Sequence, residues 1–266
     1  MKTGTGFKVK RMLAWGFEKT GINKKLFKML GQEEYIRILN YHCNDERFIC
    51  NFRRQLQWYK EQYVNVSYCD FVSFLNGEKW KHKKPGIMIT FDDGFESNFA
   101  IAKPLLDEMG FTGYFFVSSD LVGQKGYMNE RQIVTLRENG HVIGSHTATH
   151  HRMEESDSLE KLEYEISGSK RRLEDLLGSD VDIFCWCGGE EEHYTHKAEK
   201  IIEKSGYQFG FMTNSKPVYP DTDRYHIQRV NVEDWWPLYL VKFQVSGFMD
   251  FRMHKKRERV NAKTTL

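Results

Sequence analysis

The chain has 266 residues and a mass of 31.5 kDa, with 29% charged residues, 14% aromatic residues and a mean hydropathy of −0.62. This length supports one large domain with a substantial core. The composition excludes a polytopic membrane protein and a disordered chain. The five cysteines form an odd set without CxxC spacing, and the first residues lack the features of a secretory signal. We therefore expect a reducing, cytoplasmic location.

The formal net charge of +2 hides two basic ends. Residues 1–30 carry eight Lys or Arg against one glutamate, and residues 252–266 carry six against one. Such ends are either solvated tails or contacts with an anionic membrane. Nucleic acid is not expected as a partner, because the middle of the chain is acidic. The apolar residues among the N-terminal lysines, which favour the membrane interpretation, are Trp15, Phe17, Leu26, Phe27, Met29 and Leu30.

From about residue 35 onward, short apolar runs alternate with helix-like segments, and no linker divides them. We predict a basic N-terminal extension at 1–34, one central domain at 35–250 and a basic tail at 251–266. The predicted strands are 35–42, 86–91, 112–118, 141–145, 182–187, 207–213 and 226–232. The predicted helices are 49–62, 97–109, 129–139, 158–177, 195–205 and 234–244.

The longest predicted helix, 158–177, carries one apolar stripe, with Asp157 as the expected N-cap and Gly178 as the expected C-terminal stop. Alternation of strands and helices predicts an α/β fold with a mostly parallel sheet, either open or closed into a barrel. In both forms, functional side chains are expected at the carboxyl ends of the strands.

Acidic residues follow the predicted strand 86–91, which ends in the sequence Thr-Phe-Asp-Asp-Gly. Asp92 and Asp93 are neighbours on an extended chain, so their side chains point to opposite sides and can have different roles. The alternative is a helix N-cap region, in which aspartate is common.

Histidines follow the predicted strand 141–145. His146 and His150 are four residues apart, so one helical turn would bring both imidazoles to one side. Two imidazoles and one carboxylate form a common catalytic zinc set. Because both motifs end strands of one alternating pattern, the sequence favours a metal site over unrelated polar residues.

These motifs resemble the polysaccharide deacetylase family, also known as the NodB homology domain or carbohydrate esterase family 4. Residues 90–94 match its TFDDG motif, and 146–150 match its H[ST]xxH motif. Tyr41-His42 and the segment 107–117 are also similar to family sequences. The resemblance covers about residues 35–232 and implies a distorted (β/α) barrel with about seven strands, in a single catalytic domain.

The resemblance also implies roles for individual residues. Asp92 would be the general base, and Asp93, His146 and His150 would bind a divalent metal, most simply Zn²⁺, with Co²⁺ or Ni²⁺ as alternatives. The metal would lower the pKa of its bound water and polarise the acetamide carbonyl. His151 is expected to lie outside the ligand set.

Two segments depart from the family pattern. Residues 184–189 (FCWCGG) are most similar to the FAYPxG form of the poly-N-acetylglucosamine deacetylase branch, with Cys, Trp and Cys replacing Ala, Tyr and Pro. Trp186 either stacks on a sugar or packs in the core. The late LxH motif is missing, so His226 is the candidate general acid. Arg229 is similar to an arginine of some family members and would orient Asp92.

The function implied is metal-dependent N-deacetylation of an N-acetylated sugar in a surface polysaccharide or its lipid-linked precursor, met at the inner face of a membrane. One alternative keeps the site and changes the acyl group, as in a deformylase or another C–N amidohydrolase. The other is a glycan-binding protein that has lost catalysis.

Overall fold

The computed structural model describes residues 4–30 and 34–265, and it has the predicted α/β architecture. The strands are β1 Ile36–Tyr41, β2 Val64–Asn65, β3 Gly86–Phe91, β4 Gly113–Val117, β5 Val142–Ser145, β6 Ile183–Cys185, β7 Phe209–Met212, β8 Ile227–Gln228 and β9 Val230–Asn231. The helices are α1 Thr5–Thr20, α2 Ile22–Leu30, α3 Ile49–Gln62, α4 Tyr68–Leu75, α5 Lys103–Met109, α6 Glu130–Glu138, α7 Leu159–Glu163, α8 Ser169–Leu177, α9 His196–Lys204, α10 Leu238–Val245, α11 Phe248–Arg252 and α12 His254–Thr264.

The sheet is wholly parallel and nearly closes on itself. Its strand order is β8-β7-β6-β5-β4-β3-β1-β9, with β2 pairing with β3. Only Arg229 separates β8, which pairs with β7, from β9, which pairs with β1. This last segment therefore joins the two edges of the sheet. The predicted distorted (β/α) barrel is confirmed, and each of its seven predicted strands is present.

Alternating side chains of the strands form two hydrophobic layers. One layer lies between the sheet and the surrounding helices and includes Leu39, Ile89 and Phe184. The other lies inside the barrel and includes Ile38 and Met88. The interior layer also contains three residues of α4, a helix that the sequence analysis missed: Phe71, Phe74 and Leu75.

The long predicted helix is continuous but irregular. A π-helical turn at Tyr164–Gly168 separates α7 from α8, and Gly178 ends α8 in the left-handed conformation (φ 61°). The predicted N-cap is wrong by one residue. The side chain of Ser158 accepts the hydrogen bond from the Lys161 amide, while Asp157 binds His151 and Lys161 through its side chain.

Both basic ends are helical and pack on the barrel, unlike solvated tails. The ring of Phe17 in α1 meets Phe243 of α10 edge-on at 5.1 Å and Phe248 of α11 at 5.4 Å. The parts of the predicted ends at residues 1–3, 31–33 and 266 lie outside the described residues. Within 4–30 and 34–265, no helix combines the length and apolarity needed to cross a bilayer.

Candidate active site

A cavity of about 400 Å³ opens at the carboxyl ends of the barrel strands. Its lining comes from the ends of β1, β3, β5, β6, β7 and β9, which is the edge where the sequence analysis expected chemistry. The lining residues are Asn40, His42, Asp92, Asp93, His146, His150, Arg152, Gly188, Gly189, Glu190, Thr213 and Asn231.

Asp92 is buried and held by Arg229 through both carboxylate oxygens. The guanidinium Nη1 donates to Oδ1 at 2.6 Å and Nη2 donates to Oδ2 at 2.8 Å. Nη1 also donates to Thr90 Oγ1 at 2.9 Å. Burial alone raises the pKa of Asp92, but the charge of Arg229 and its hydrogen bonds to the carboxylate outweigh burial, so the net pKa is below the usual value. Asp92 is therefore kept ionised in one orientation, and the structure brings Arg229 to the position that the sequence analysis expected.

Cys185, where the related deacetylase branch has alanine, lies against this pair. Its sulfur is 3.8 Å and 3.9 Å from the two oxygens of Asp92 and 2.7 Å from Nη2 of Arg229. Burial, and secondarily Asp92, raises the pKa of the Cys185 thiol to about 11. Cys185 is thus a neutral neighbour of the carboxylate at neutral pH.

Asp93, His146 and His150 converge on one point. Oδ1 of Asp93 is 3.4 Å from Nε2 of His146 and 3.0 Å from Nε2 of His150. This oxygen is buried and has no hydrogen-bond partner. The Nδ1 atom of His146 lies 3.0 Å from the carbonyl oxygen of Cys185, so its N–H donates there and Nε2 is left with a free lone pair. One orphaned carboxylate oxygen and two imidazole nitrogens fit a divalent transition metal.

The loop that carries the two histidines is fixed by the π-helical turn after α7. Buried Glu165 accepts hydrogen bonds from the backbone N–H groups of Ala148 and Thr149 at 3.0 and 2.9 Å, and from the Thr149 hydroxyl at 2.7 Å. His150 has a φ of 63°, which is uncommon outside glycine. The interior of α7–α8 therefore maintains a strained loop beside the cavity.

Cys187 also lies near this cluster. One ligand atom each of His146, His150 and Cys187 all fall within 4.8 Å of one another. The Cys187 sulfur lies 3.4 Å from both Thr147 Oγ1 and the carbonyl oxygen of His146. His151 is not part of the cluster, since its Nε2 atom is 2.7 Å from the carboxylate of Asp157.

His42 lines the cavity and had no role assigned from the sequence. Its side chain is 38% exposed, and its Nδ1 atom is 4.0 Å from Oε1 of Glu233. Asn98 donates to the His42 carbonyl at 2.6 Å and so fixes the backbone there. Its position in the sequence could have identified it, because His42 follows β1, which is the neighbour of β3 in the barrel.

Two other candidates are not at the site. Trp186 is 2% exposed and packs edge-on against Phe184 and Tyr194, so it is a core residue and cannot form the floor of a sugar site. His226 precedes β8 and therefore lies at the opposite end of the barrel. Its Nε2 atom is bound to Glu199 at 2.9 Å. It cannot donate a proton in this cavity.

The parallel barrel thus places an arginine-bound aspartate beside a second aspartate and two histidines. Residues 79–210 match the family model described as polysaccharide deacetylase. This segment is a polysaccharide deacetylase domain, and the homologues that carry such a domain are hydrolases that act on carbon–nitrogen bonds.

Similar proteins include two curated relatives. The YxkH protein of Bacillus subtilis, assigned to the same family, is 29% identical over 153 residues, which are 56% of this chain and 53% of the relative. The chain thus spans about half the length of that relative. Poly-beta-1,6-N-acetyl-D-glucosamine N-deacetylase of Staphylococcus epidermidis is 23% identical over 243 residues, covering 82% of this chain and 76% of the relative.

A solved structure supports the same fold. The Streptococcus pyogenes deacetylase PplD, in complex with acetate, superimposes with a TM-score of 0.70 at 20% identity. The superposition covers 80% of this chain and 99% of PplD.

Proposed function

We propose that this protein is a metal-dependent N-deacetylase that removes acetyl groups from an N-acetylated sugar of a surface polysaccharide or its precursor. One observation carries the proposal: the arginine-bound carboxylate of Asp92 shares a cavity with the converging ligand atoms of Asp93, His146 and His150. The polysaccharide deacetylase domain at residues 79–210 supports the reaction type.

The residues that would hold the metal are Asp93, His146 and His150. A divalent ion there, with Zn²⁺ the first choice and Co²⁺ or Ni²⁺ as substitutes, supplies Lewis acidity to water and to the acyl oxygen. Asp93 Oδ1 then gains the partner that it lacks among the described protein atoms.

Asp92 acts as the general base. A water molecule attacks the acyl carbon, and the carboxylate of Asp92 accepts the proton that the water loses. Arg229 keeps the carboxylate ionised and stops it from rotating.

His42 is the group available to protonate the leaving amine. When the C–N bond of the amide breaks, the amine nitrogen gains a proton from His42, and acetate departs. His42 is the histidine of the described cavity lining that belongs neither to the proposed ligand set nor to its loop. The Oε1 atom of Glu233 lies 4.0 Å from its Nδ1 atom.

The substrate is proposed to be poly-N-acetylglucosamine or a lipid-linked amino sugar, met at the cytoplasmic face of a membrane. The named activity of the staphylococcal relative supports the sugar. All five cysteines are free, which suits a reducing compartment.

The test is acetate release from β-1,6- and β-1,4-linked N-acetylglucosamine oligomers by zinc-loaded and cobalt-loaded protein. Asp92→Asn is expected to lower kcat by roughly 10²–10⁴-fold with metal content unchanged. His150→Ala is expected to lose the metal, whereas His226→Ala retains both metal and activity.

The two alternatives give different results. An N-formyl sugar hydrolysed faster than the N-acetyl sugar would identify a deformylase. Sugar binding by the wild type and by Asp92→Asn, without acyl release from either, would identify a glycan-binding protein and refute the proposal.

A further inference from the structure

The outward face of the N-terminal helices is apolar and basic at once. Met12 is 72% exposed, Trp15 57% and Met29 68%, although α1 is well anchored on its other side. Lys8, Met12, Trp15 and Lys19 have spacings of four, three and four residues and so form one outward row of α1. Beside this row is an open cavity of about 610 Å³ lined by Lys8, Arg11, Met12, Trp15, Gly16 and Tyr239.

The charged residues on this face are basic. Within residues 4–30 the single acidic side chain is Glu18, and it is turned toward the protein, where it accepts hydrogen bonds from Lys242 at 2.9 Å and Asn23 at 3.2 Å. Lys24, Lys25 and Lys28 of α2 are exposed beside Met29. Apolar side chains bordered by cations complement an anionic lipid interface, because the former enter the acyl boundary while the latter meet the headgroups.

The inward side of the same helix packs on the segment that follows Glu233. Phe7 lies 5.3 Å from Trp235 and 6.0 Å from Trp236, measured between ring centroids, and Nζ of Lys10 lies 4.2 Å from the ring centroid of Trp236. These tryptophans follow Glu233, whose carboxylate faces His42 in the cavity. One side of α1 thus packs on a segment just after Glu233, the residue that faces His42, while Met12 and Trp15 on the opposite side are exposed.

We propose that the outward face of α1 and α2 docks on an anionic lipid surface and holds the cavity close to membrane-borne substrate. The docking surface is inferred from the exposure of these residues, whereas the access to membrane-borne substrate rests on the proposed function. Trp15 and Met12 enter the interface, and the lysines bind lipid phosphates.

The test is co-sedimentation of the full chain with vesicles of phosphatidylcholine alone or of phosphatidylcholine mixed with phosphatidylglycerol. We expect binding to the mixed vesicles that weakens at high salt. The double substitution Met12→Gln and Trp15→Gln is expected to weaken it by roughly tenfold or more. Leu159→Gln, an equally exposed apolar position on α7, is the matched control and is expected to bind like the wild type.

The charge contribution has its own control. Lys24→Gln with Lys25→Gln removes two exposed charges from the surface, and Lys81→Gln with Lys83→Gln removes two exposed charges elsewhere. We expect weaker vesicle binding for the first pair only. Equal losses for both pairs would show unspecific attraction and overturn the proposal, as would binding to a soluble acidic polymer without binding to vesicles.

The docking surface and the deacetylase function are tested by separate measurements, vesicle binding and acetate release. Asp92→Asn is expected to bind vesicles like the wild type. A protein that deacetylates soluble oligomers yet ignores anionic vesicles refutes the docking surface alone, whereas one that binds vesicles as predicted without hydrolysing any N-acyl sugar refutes the deacetylase function alone.

Discussion

Asp92 and Arg229 show how one pair of side chains prepares a base. Both oxygens of the carboxylate are bound by the two Nη atoms of the guanidinium, and Arg229 is fully buried. A guanidinium offers two parallel donors to a carboxylate, whereas an ammonium offers one compact charge. The orientation of Asp92 therefore requires the guanidinium of arginine, because a positive charge alone would not fix both carboxylate oxygens.

Arg229→Lys keeps the positive charge but cannot donate two parallel hydrogen bonds to Asp92. We expect kcat to fall by roughly 10²-fold, because a misplaced base loses that order of rate, with KM near the wild-type value. Steady-state kinetics on N-acetylglucosamine oligomers measures kcat and KM separately, and a thermal melt verifies that the variant is folded. An unchanged kcat would show that Asp92 needs no orientation.

His42→Gln tests the proton donor. We expect kcat to fall by roughly 10²–10⁴-fold with metal content retained, because the leaving amine would no longer gain a proton from the protein. A substrate whose leaving amine is less basic needs less protonation, so it is expected to recover much of the lost rate. His226→Gln is the comparison, and an equal loss in that variant would contradict the assignment.

At the scale of elements, the irregular helix α7–α8 supports the site from outside the cavity. Its π-helical turn carries Glu165, which binds two consecutive backbone N–H groups of the histidine loop. The same helix places Ser169, whose hydroxyl donates to the carbonyl of Thr147 at 2.9 Å. The φ angles of Thr147 and His150, both 63°, are maintained by these bonds.

Glu165→Gln is expected to weaken metal binding by roughly 10–100-fold, because the amide cannot accept all three hydrogen bonds of the carboxylate and His150 loses its fixed position. Competition with a chelator measures the affinity. Glu163→Gln, on the exposed side of α7, is the matched control. If both variants keep wild-type affinity, the loop does not depend on the helix.

At the scale of the whole molecule, α11 is tied to the barrel by a buried ion pair. Arg37 on β1 is 0% exposed and binds both oxygens of Asp250 at 2.9 Å. Ser215, after β7, donates to Asp250 at 2.7 Å. One carboxylate thus joins the first strand, the loop after β7 and the C-terminal helices.

Asp250→Asn is expected to lower the free energy of unfolding by about 3–5 kcal/mol at neutral pH, because it leaves the charge of Arg37 buried without a partner. Urea unfolding measures the difference, and Asp221→Asn, at an exposed position, is expected to change it by less than about 0.5 kcal/mol.

The same pair predicts a pH dependence. Burial raises the pKa of Asp250, but Arg37 outweighs it and the net pKa is lowered. The stabilisation is therefore fully present above the unfolded pKa of about 3.9 and is lost as the pH falls through the lower folded value. The difference between the wild type and Asp250→Asn should shrink below about pH 4. A constant difference down to pH 3 would contradict this.

The sequence by itself determined the strands of the barrel and the grouping of four polar residues at one end of it. The strands are short apolar runs, and Asp92, Asp93, His146 and His150 follow two of them, so local periodicity and the parallel-sheet rule sufficed to group them. The sequence analysis missed five helices because they are short or rich in basic residues, and packing stabilises them more than their own pattern does. These helices are α1, α2, α4, α11 and α12.

Only the tertiary structure decided which distant side chains meet. The family resemblance implied the pairing of Arg229 with Asp92, but the contact across 137 positions forms because the segment 227–231 joins both edges of the barrel. The same closure puts His226 at the far end of β8, while His42, at the end of β1, faces the cavity. Trp186 points into the outer core layer. The physical reason is that hydrophobic pattern fixes a strand locally, whereas the direction and partners of a polar side chain depend on sheet register and closure, which depend on the whole chain.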